Sequence, residues 1–222
     1  MSAFLGHIHY WLYHKIRLVI EREQLVYETA AEACGETAEE LQAQVWQSYG
    51  QPLPDSDLSE LIEHGNIHGW LQRQINIAES REAALIKELL DNCGPEAEDW
   101  IRYAFTQHGE RCGRQAVQQH KYETERADGI FQALNDYLLN GMPCDQADSI
   151  LVSNADTVVW ESSICLQEPN WKRAGASGKI MKKLYQEWTA GFVQGINPDF
   201  YYSQTADTLQ GDPVNRQEIV RG

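Results

Sequence analysis

The sequence predicts an α+β protein, with an N-terminal helical half built from a tandem helical-hairpin repeat and a C-terminal β-α-β-β unit. Two observations carry this reading. Residues 6–50 and 65–109 align without a gap at a constant offset of 59, with 13 identities in 45 positions. They include His9/His68, Trp11/Trp70, Arg22/Arg81, Glu23/Glu82 and Cys34/Cys93. Ordinary residue usage gives roughly 3 such identities by accident, so the match marks one supersecondary unit used twice. From about residue 150 the helical period gives way to β-branched, partly alternating segments that read as strands.

Each repeat reads as a long helix, a stop and a shorter helix. Ile8, Leu12, Ile16, Val19, Val26 and Ala30 form an apolar stripe near the 3.6-residue period. Ile67, Leu71, Ile75, Ala78, Leu85 and Leu89 form its counterpart. Both long helices stop at Cys-Gly, where Gly35 and Gly94 suit the left-handed position after a helix. The first shorter helix is expected to start at Thr37, with Glu40 in capping-box spacing, and the second at Pro95. "GQPLPDSD" is the loop between repeats. Two such hairpins, related by a pseudo-two-fold axis, pack most simply as a four-helix bundle.

A further helix is expected over 114–140, ended by "NGMP". "DTVVWESSICL" then reads as a strand, and "SGKIMKKLYQEWTAGFVQG" as a helix ending at Gly195. "DFYYSQTADTL" and "VNRQEIV" read as strands joined across "QGDP". This divides the chain into a helical repeat domain, 1–145, and an α+β unit, 146–222.

Composition narrows the partners. With 222 residues, 42% hydrophobic, 7 Trp and 10 Tyr, the chain is long and apolar enough for a substantial core. A net charge of −15 repels nucleic acid and anionic membrane surfaces. No run of 18 apolar residues spans a bilayer, and the N-terminal stretch, broken by three His, lacks the features of a secretory signal. Five scattered cysteines without a CxxC pair fit free thiols and a cytoplasmic location. A small-molecule ligand or substrate is the partner this leaves; an oligomer is compatible, and no motif names a cofactor or a metal.

The tail carries a resemblance. "VVWESSICLQEPNWKRAG" and "EWTAGFVQGINPDFYYSQTADTLQGDP" resemble the L-2-amino-thiazoline-4-carboxylic acid hydrolase-like family, itself similar to 4-vinyl-reductase-type ligand-binding domains. The matching features are Cys165, Trp171, the turn from Gly195 to Phe200, Thr205, Leu209 and Gly211–Asp212. Asn215 stands where the family usually has a cysteine, and Leu166 where a proline commonly follows Cys165. The resemblance covers the last quarter to third of the chain. It implies a bacterial small-molecule protein that opens a C–N or C–S bond by hydrolysis.

Cys165, near the end of a strand, is the candidate nucleophile, and a thiolate there needs a base or a positive neighbour. His9 and His68 lie in the apolar stripes and are the candidate proton carriers. Alternatively they form the centre of a non-enzymatic module for a metal or planar ligand, or are core histidines bonded to backbone. His64, four residues before His68, is a further metal partner to weigh. Glu23 and Glu82 also sit in the stripes. They either serve a ligand or pair reciprocally with Arg81 and Arg22, the more economical reading because both residue types recur. Trp11 and Trp70 read as core anchors, with ligand stacking as the second reading. Cys34 and Cys93 would lie at opposite ends of an antiparallel helix pair, too far apart for a disulfide. "GASGK" lacks P-loop spacing and reads as a helix N-terminus. A purely structural scaffold is the third reading of the whole.

Overall fold

The two apolar stripes form α1 (His7–Cys34) and α4 (Ile67–Asn92). A computed structural model of the chain describes residues 5–63, 65–145 and 148–222; His64 lies outside them. α1 and α4 run side by side in the same direction. His9 meets His68 near their starts, and Cys34 is bonded to Cys93 at their ends, with Cα atoms 6.0 Å apart. Two expectations are thereby corrected. The long helices are parallel, and two of the five cysteines form a disulfide, leaving Cys112, Cys144 and Cys165 free. Helical periodicity marks which face is buried but not which way the partner helix runs, so the antiparallel assumption had no physical support.

Midway along the pair, Arg22 meets Glu82 at 2.6 Å and Arg81 meets Glu23 at 2.8 Å, all four side chains buried. This is the reciprocal pairing the duplicated residues led one to expect. Parallel helices put positions 59 apart level with each other, so Arg22 and Glu23 find their opposite numbers one residue displaced. Leaving any one of these charges without its partner would be strongly destabilising.

Gly35 (φ +57°) and Gly94 (φ +85°) turn the chain after each long helix in a conformation that favours glycine. α2 (Glu36–Tyr49) follows at once, so Thr37 lies inside its first turn and caps nothing. α2 packs mainly on α4, and α5 (Ala97–Gln118) packs on α1 more than on α4. Pro95 precedes α5 instead of opening it. α3 (Leu58–Leu61) is a single turn in the linker, capped by Asp57.

The helix expected over 114–140 is two pieces. α5 continues straight through Gly109 to Gln118, and α6 (Ala127–Tyr137) starts only after a reversal in which His120 takes a φ of 51°. The start of α6 is held by Ala127 N–H donating to Ala155 O, a tertiary bond invisible to local periodicity.

The C-terminal unit holds four strands: β1 (Asp148–Ser153), β2 (Thr157–Ser162), β3 (Phe200–Ala206) and β4 (Asn215–Arg221). They form one antiparallel sheet in the order β1-β2-β4-β3. β1 is an edge strand whose residues are almost all exposed, so it carries no inward-outward alternation to betray it. The "EPNW" segment opens α7 (Glu168–Arg173), with proline in its first turn. α8 (Gly178–Ile196) crosses to β3. The α+β class, with a helical N-terminal half and the sheet near the C-terminus, holds. Among the described residues, no helix is long and apolar enough to cross a membrane.

α8 and α6 cover one face of the sheet. On that face Val158, Ile219 and Phe200 are fully buried at one end of the strands. At the other end the inward positions turn polar, with Ser162 opposite Asn215 and Gln217 flanked by Trp160 and Gln204. Core apolar residues exclude water, whereas this polar end leaves room for it. The cavity opens there.

Candidate functional site

The cavity holds about 310 Å³ between the polar end of the sheet, the helices α6, α7 and α8 and the N-terminal part of α1. Its sheet wall presents Trp160, Ser162, Tyr202, Gln204, Asn215 and Gln217. α6 contributes Phe131 and Leu134, α8 contributes Lys182, Tyr185, Gln186 and Thr189, and α1 contributes Trp11 and Lys15. The segment after β2 brings Ile164, Cys165 and Gln167. Aromatic walls with a few fixed polar groups are the usual make-up of a small-molecule site, and the volume is of the usual size.

The aromatic side is built from contacts that fix each ring. Phe131 and Trp160 lie 4.7 Å apart, and Trp171 meets Tyr185 edge-on at 5.3 Å. The polar side is equally constrained. Tyr202 donates to Gln217 Oε1 at 2.9 Å, and Gln186 donates to Gln204 Oε1 at 2.7 Å. Lys182 donates to both Asp207 and Asn215. Burial works against the Asp207 carboxylate, but that lysine and the Leu209 N–H hold it below its ordinary range.

Cys165 lies in the wall. Its thiol is half-buried beside Gln167 Oε1 at 3.5 Å. Burial pushes the thiol up from its ordinary pKa, while backbone N–H groups of Glu168 and Gln167 and the charge of Lys182 pull the other way. At neutral pH it is therefore mainly a thiol. No described histidine lines the cavity, so neither His9 nor His68 stands in reach of it.

Lys15 faces Cys165's cavity from α1, and the sequence reading passed over it. It is 4% exposed, and its Nζ lies 3.5 Å from the centroid of the Trp11 ring. Trp11 is held in turn by donation of its Nε1–H to Asp136 at 2.8 Å. Burial lowers the Lys15 ammonium to about 7, against the pull of Asp136 and Asp148. Asp148 is also in the wall. Burial raises its carboxyl, although Asn140 donates to it at 2.8 Å and Lys15 favours its charge.

The other expected site residues are elsewhere. Trp70 is buried in a second apolar cluster with Leu12, Ile16 and Leu71. Glu23 and Glu82 are taken up by the two arginines. One thread runs from that centre to the cavity: Arg22 donates to the Tyr185 hydroxyl at 3.0 Å, and Tyr185 lines the wall. His9 and His68 face each other at 3.3 Å between Nε2 atoms, near the helix starts. His9 Nδ1 accepts from Gly6 N–H at 3.0 Å, so a neutral His9 carries its proton on Nε2 and donates to His68. A metal-bound imidazole donates through its second nitrogen instead. The pair is accounted for as a hydrogen bond joining the two helices, and the described residues hold no group of three or more His, Cys, Asp and Glu fit for a metal.

Lys15 and the inward glutamines had a faint signal. Lys15 directly precedes Ile16 in the apolar stripe, and Gln204 and Gln217 occupy inward-facing strand positions. Comparison with protein-family models, with characterised proteins and with solved structures returned no match.

Proposed function

We propose that this protein binds a small, planar organic molecule in the cavity and acts on it in hydrolase-like fashion, at a C–N or C–S bond, with Cys165 as the nucleophile. One observation carries the reading: Cys165 shares an aromatic-walled cavity of about 310 Å³ with charged and amide groups. The resemblance of the tail to thiazoline-carboxylate hydrolase-like proteins supports the reaction class. The proton-carrying role expected of His9 and His68 passes in this reading to groups of the wall. Lys182 favours the thiolate, and Asp148, its carboxyl raised by burial, is the acid–base group the same wall offers.

The net charge of −15 keeps nucleic acid and anionic membranes out of the proposal. A cytoplasmic location belongs to it only with the Cys34–Cys93 bond exposed to a reducing thiol pool. Cys34 lies about 28 Å along α1 from Lys15, at the opposite end of that helix from the cavity.

The test is turnover of a panel of small heterocyclic amidines and thiazolines by the wild type and Cys165→Ser. Serine is close in size, so the thermal transition should stay nearly unchanged while turnover of the accepted substrate is lost. A Cys165→Ser variant with full activity would overturn the nucleophile.

A further inference from the structure

Two lysines reach the cavity, and they are treated differently by the fold. Lys182 is fully engaged, donating to Asp207 and Asn215. Among the described residues, none accepts a hydrogen bond from Lys15; its Nζ rests on the face of Trp11. A lysine this deep in a fold is normally tied to a carboxylate or carbonyl, whereas the Lys15 amine is left at the cavity wall. Nothing about the packing of α1 requires an amine there, since the neighbouring buried positions Leu12, Ile16 and Val19 are all apolar.

The surroundings hold the amine in place. Asp136 fixes the indole through Trp11 Nε1 and is itself held by Lys121 at 2.6 Å and Tyr122 at 2.7 Å. The ring therefore forms a rigid platform under Nζ. Asp148 lies in the same wall, anchored by Asn140. An amine, a carboxyl and an aromatic platform at one cavity make a constellation for carbonyl chemistry.

We propose that Lys15 is a nucleophilic amine that forms a reversible imine with a small aldehyde or ketone admitted to the cavity. The proposal rests on the cavity being the ligand site. The Nζ lone pair attacks the carbonyl carbon, forming the C–N bond, and the C=O π pair moves to oxygen, which takes up a proton. Nitrogen gives up a proton to yield the neutral carbinolamine. Asp148 then protonates the hydroxyl, water leaves, and loss of the second nitrogen proton or retention of the charge gives the imine or iminium. The sum is amine plus carbonyl giving imine plus water, with no change of oxidation state. Both protonation forms of Lys15 are present near neutrality, as attack and proton return require.

The experiment treats the intact protein with benzaldehyde and sodium cyanoborohydride at pH 7 and maps the benzylated lysines by peptide mass spectrometry. Lys172 and Lys183 are exposed and serve as internal references. Lys15 should be labelled ahead of them, by roughly a hundredfold in initial rate, because ordinary lysine amines are almost wholly protonated at that pH. The Asp148→Asn variant should slow labelling of Lys15 alone. Labelling of Lys172 and Lys183 with Lys15 untouched would overturn the proposal. Benzyl alcohol, which has the same ring but no carbonyl, separates the two readings when followed by saturation-transfer NMR. If it binds while Lys15 stays unlabelled, the imine falls and the cavity reading stands. If it does not bind and Lys15 stays unlabelled, both fall.

Discussion

At Glu79 the carboxyl is 1% exposed, Asn170 donates to Oε2 at 2.6 Å, and no described residue meets Oε1. Burial raises its pKa to about 8, with Asn170 opposing and the nearby Glu82 adding to the shift. In the unfolded chain the group releases its proton near 4.5. Between those values the native state binds more protons, so stability falls as pH rises through the window and levels off above about 8. The loss from this one group is on the order of 4 kcal/mol. Glu79→Gln keeps an acceptor for Asn170 and removes the titration, so urea unfolding at pH 5 and pH 8 should differ less than in the wild type. An unchanged difference would contradict the account. The residue scale was partly legible in the sequence. The Arg22–Glu82 and Arg81–Glu23 pairs could be read because both residue types recur in both segments, and a buried charge demands a partner. Cys165 and Trp11 were found and do line the cavity. Lys15 was not, because one lysine beside an apolar stripe looks like a side chain reaching out to water.

α5 and α8 meet through glycines. A Cβ on Gly109 would lie 2.1 Å from Trp188 O, and one on Gly113 2.3 Å from Phe192 O. From the other side, a Cβ on Gly195 would lie 2.4 Å from Glu110 O. The backbones are in contact along this crossing, which brings α8 over the helical half and sets Tyr185 and Lys182 at the cavity. Gly113→Ala should cost at least about 3 kcal/mol, since the clash is with backbone and not with a flexible side-chain end. Gly65→Ala, with open space around it, should change stability by less than about 0.5 kcal/mol. Equal urea midpoints for the two variants would refute the close crossing. In the sequence Gly109 was matched to Gly50, which does end α2 with a φ of +82°. Local pattern cannot distinguish a glycine that stops a helix from one that admits another helix, so the 114–140 boundary was misplaced for the same reason. β1 escaped because an exposed edge strand has no buried face to impose a period.

Across the whole molecule, the two long helices lie parallel, clasped by His9–His68 at one end and Cys34–Cys93 at the other, with the crossed ion pairs between. The class of fold was readable from the matched helical segments and the β-branched tail. The relative direction of the two long helices was not, because it is decided by long-range packing: the α+β unit lies on α1 through α5 and α8, and only Arg22 of the two arginines stacks on Phe105 and Tyr185. The cavity arises from the same asymmetry, where the C-terminal sheet and the start of α1 come together. Its role as the ligand site is the central claim. The most direct measurement is a crystallographic screen with small planar heterocycles and aromatic carbonyl compounds. The account predicts that bound fragments concentrate between Trp11, Trp160 and Tyr202, within reach of Lys15 and Cys165. Fragments seated elsewhere, with this cavity empty throughout, would contradict it.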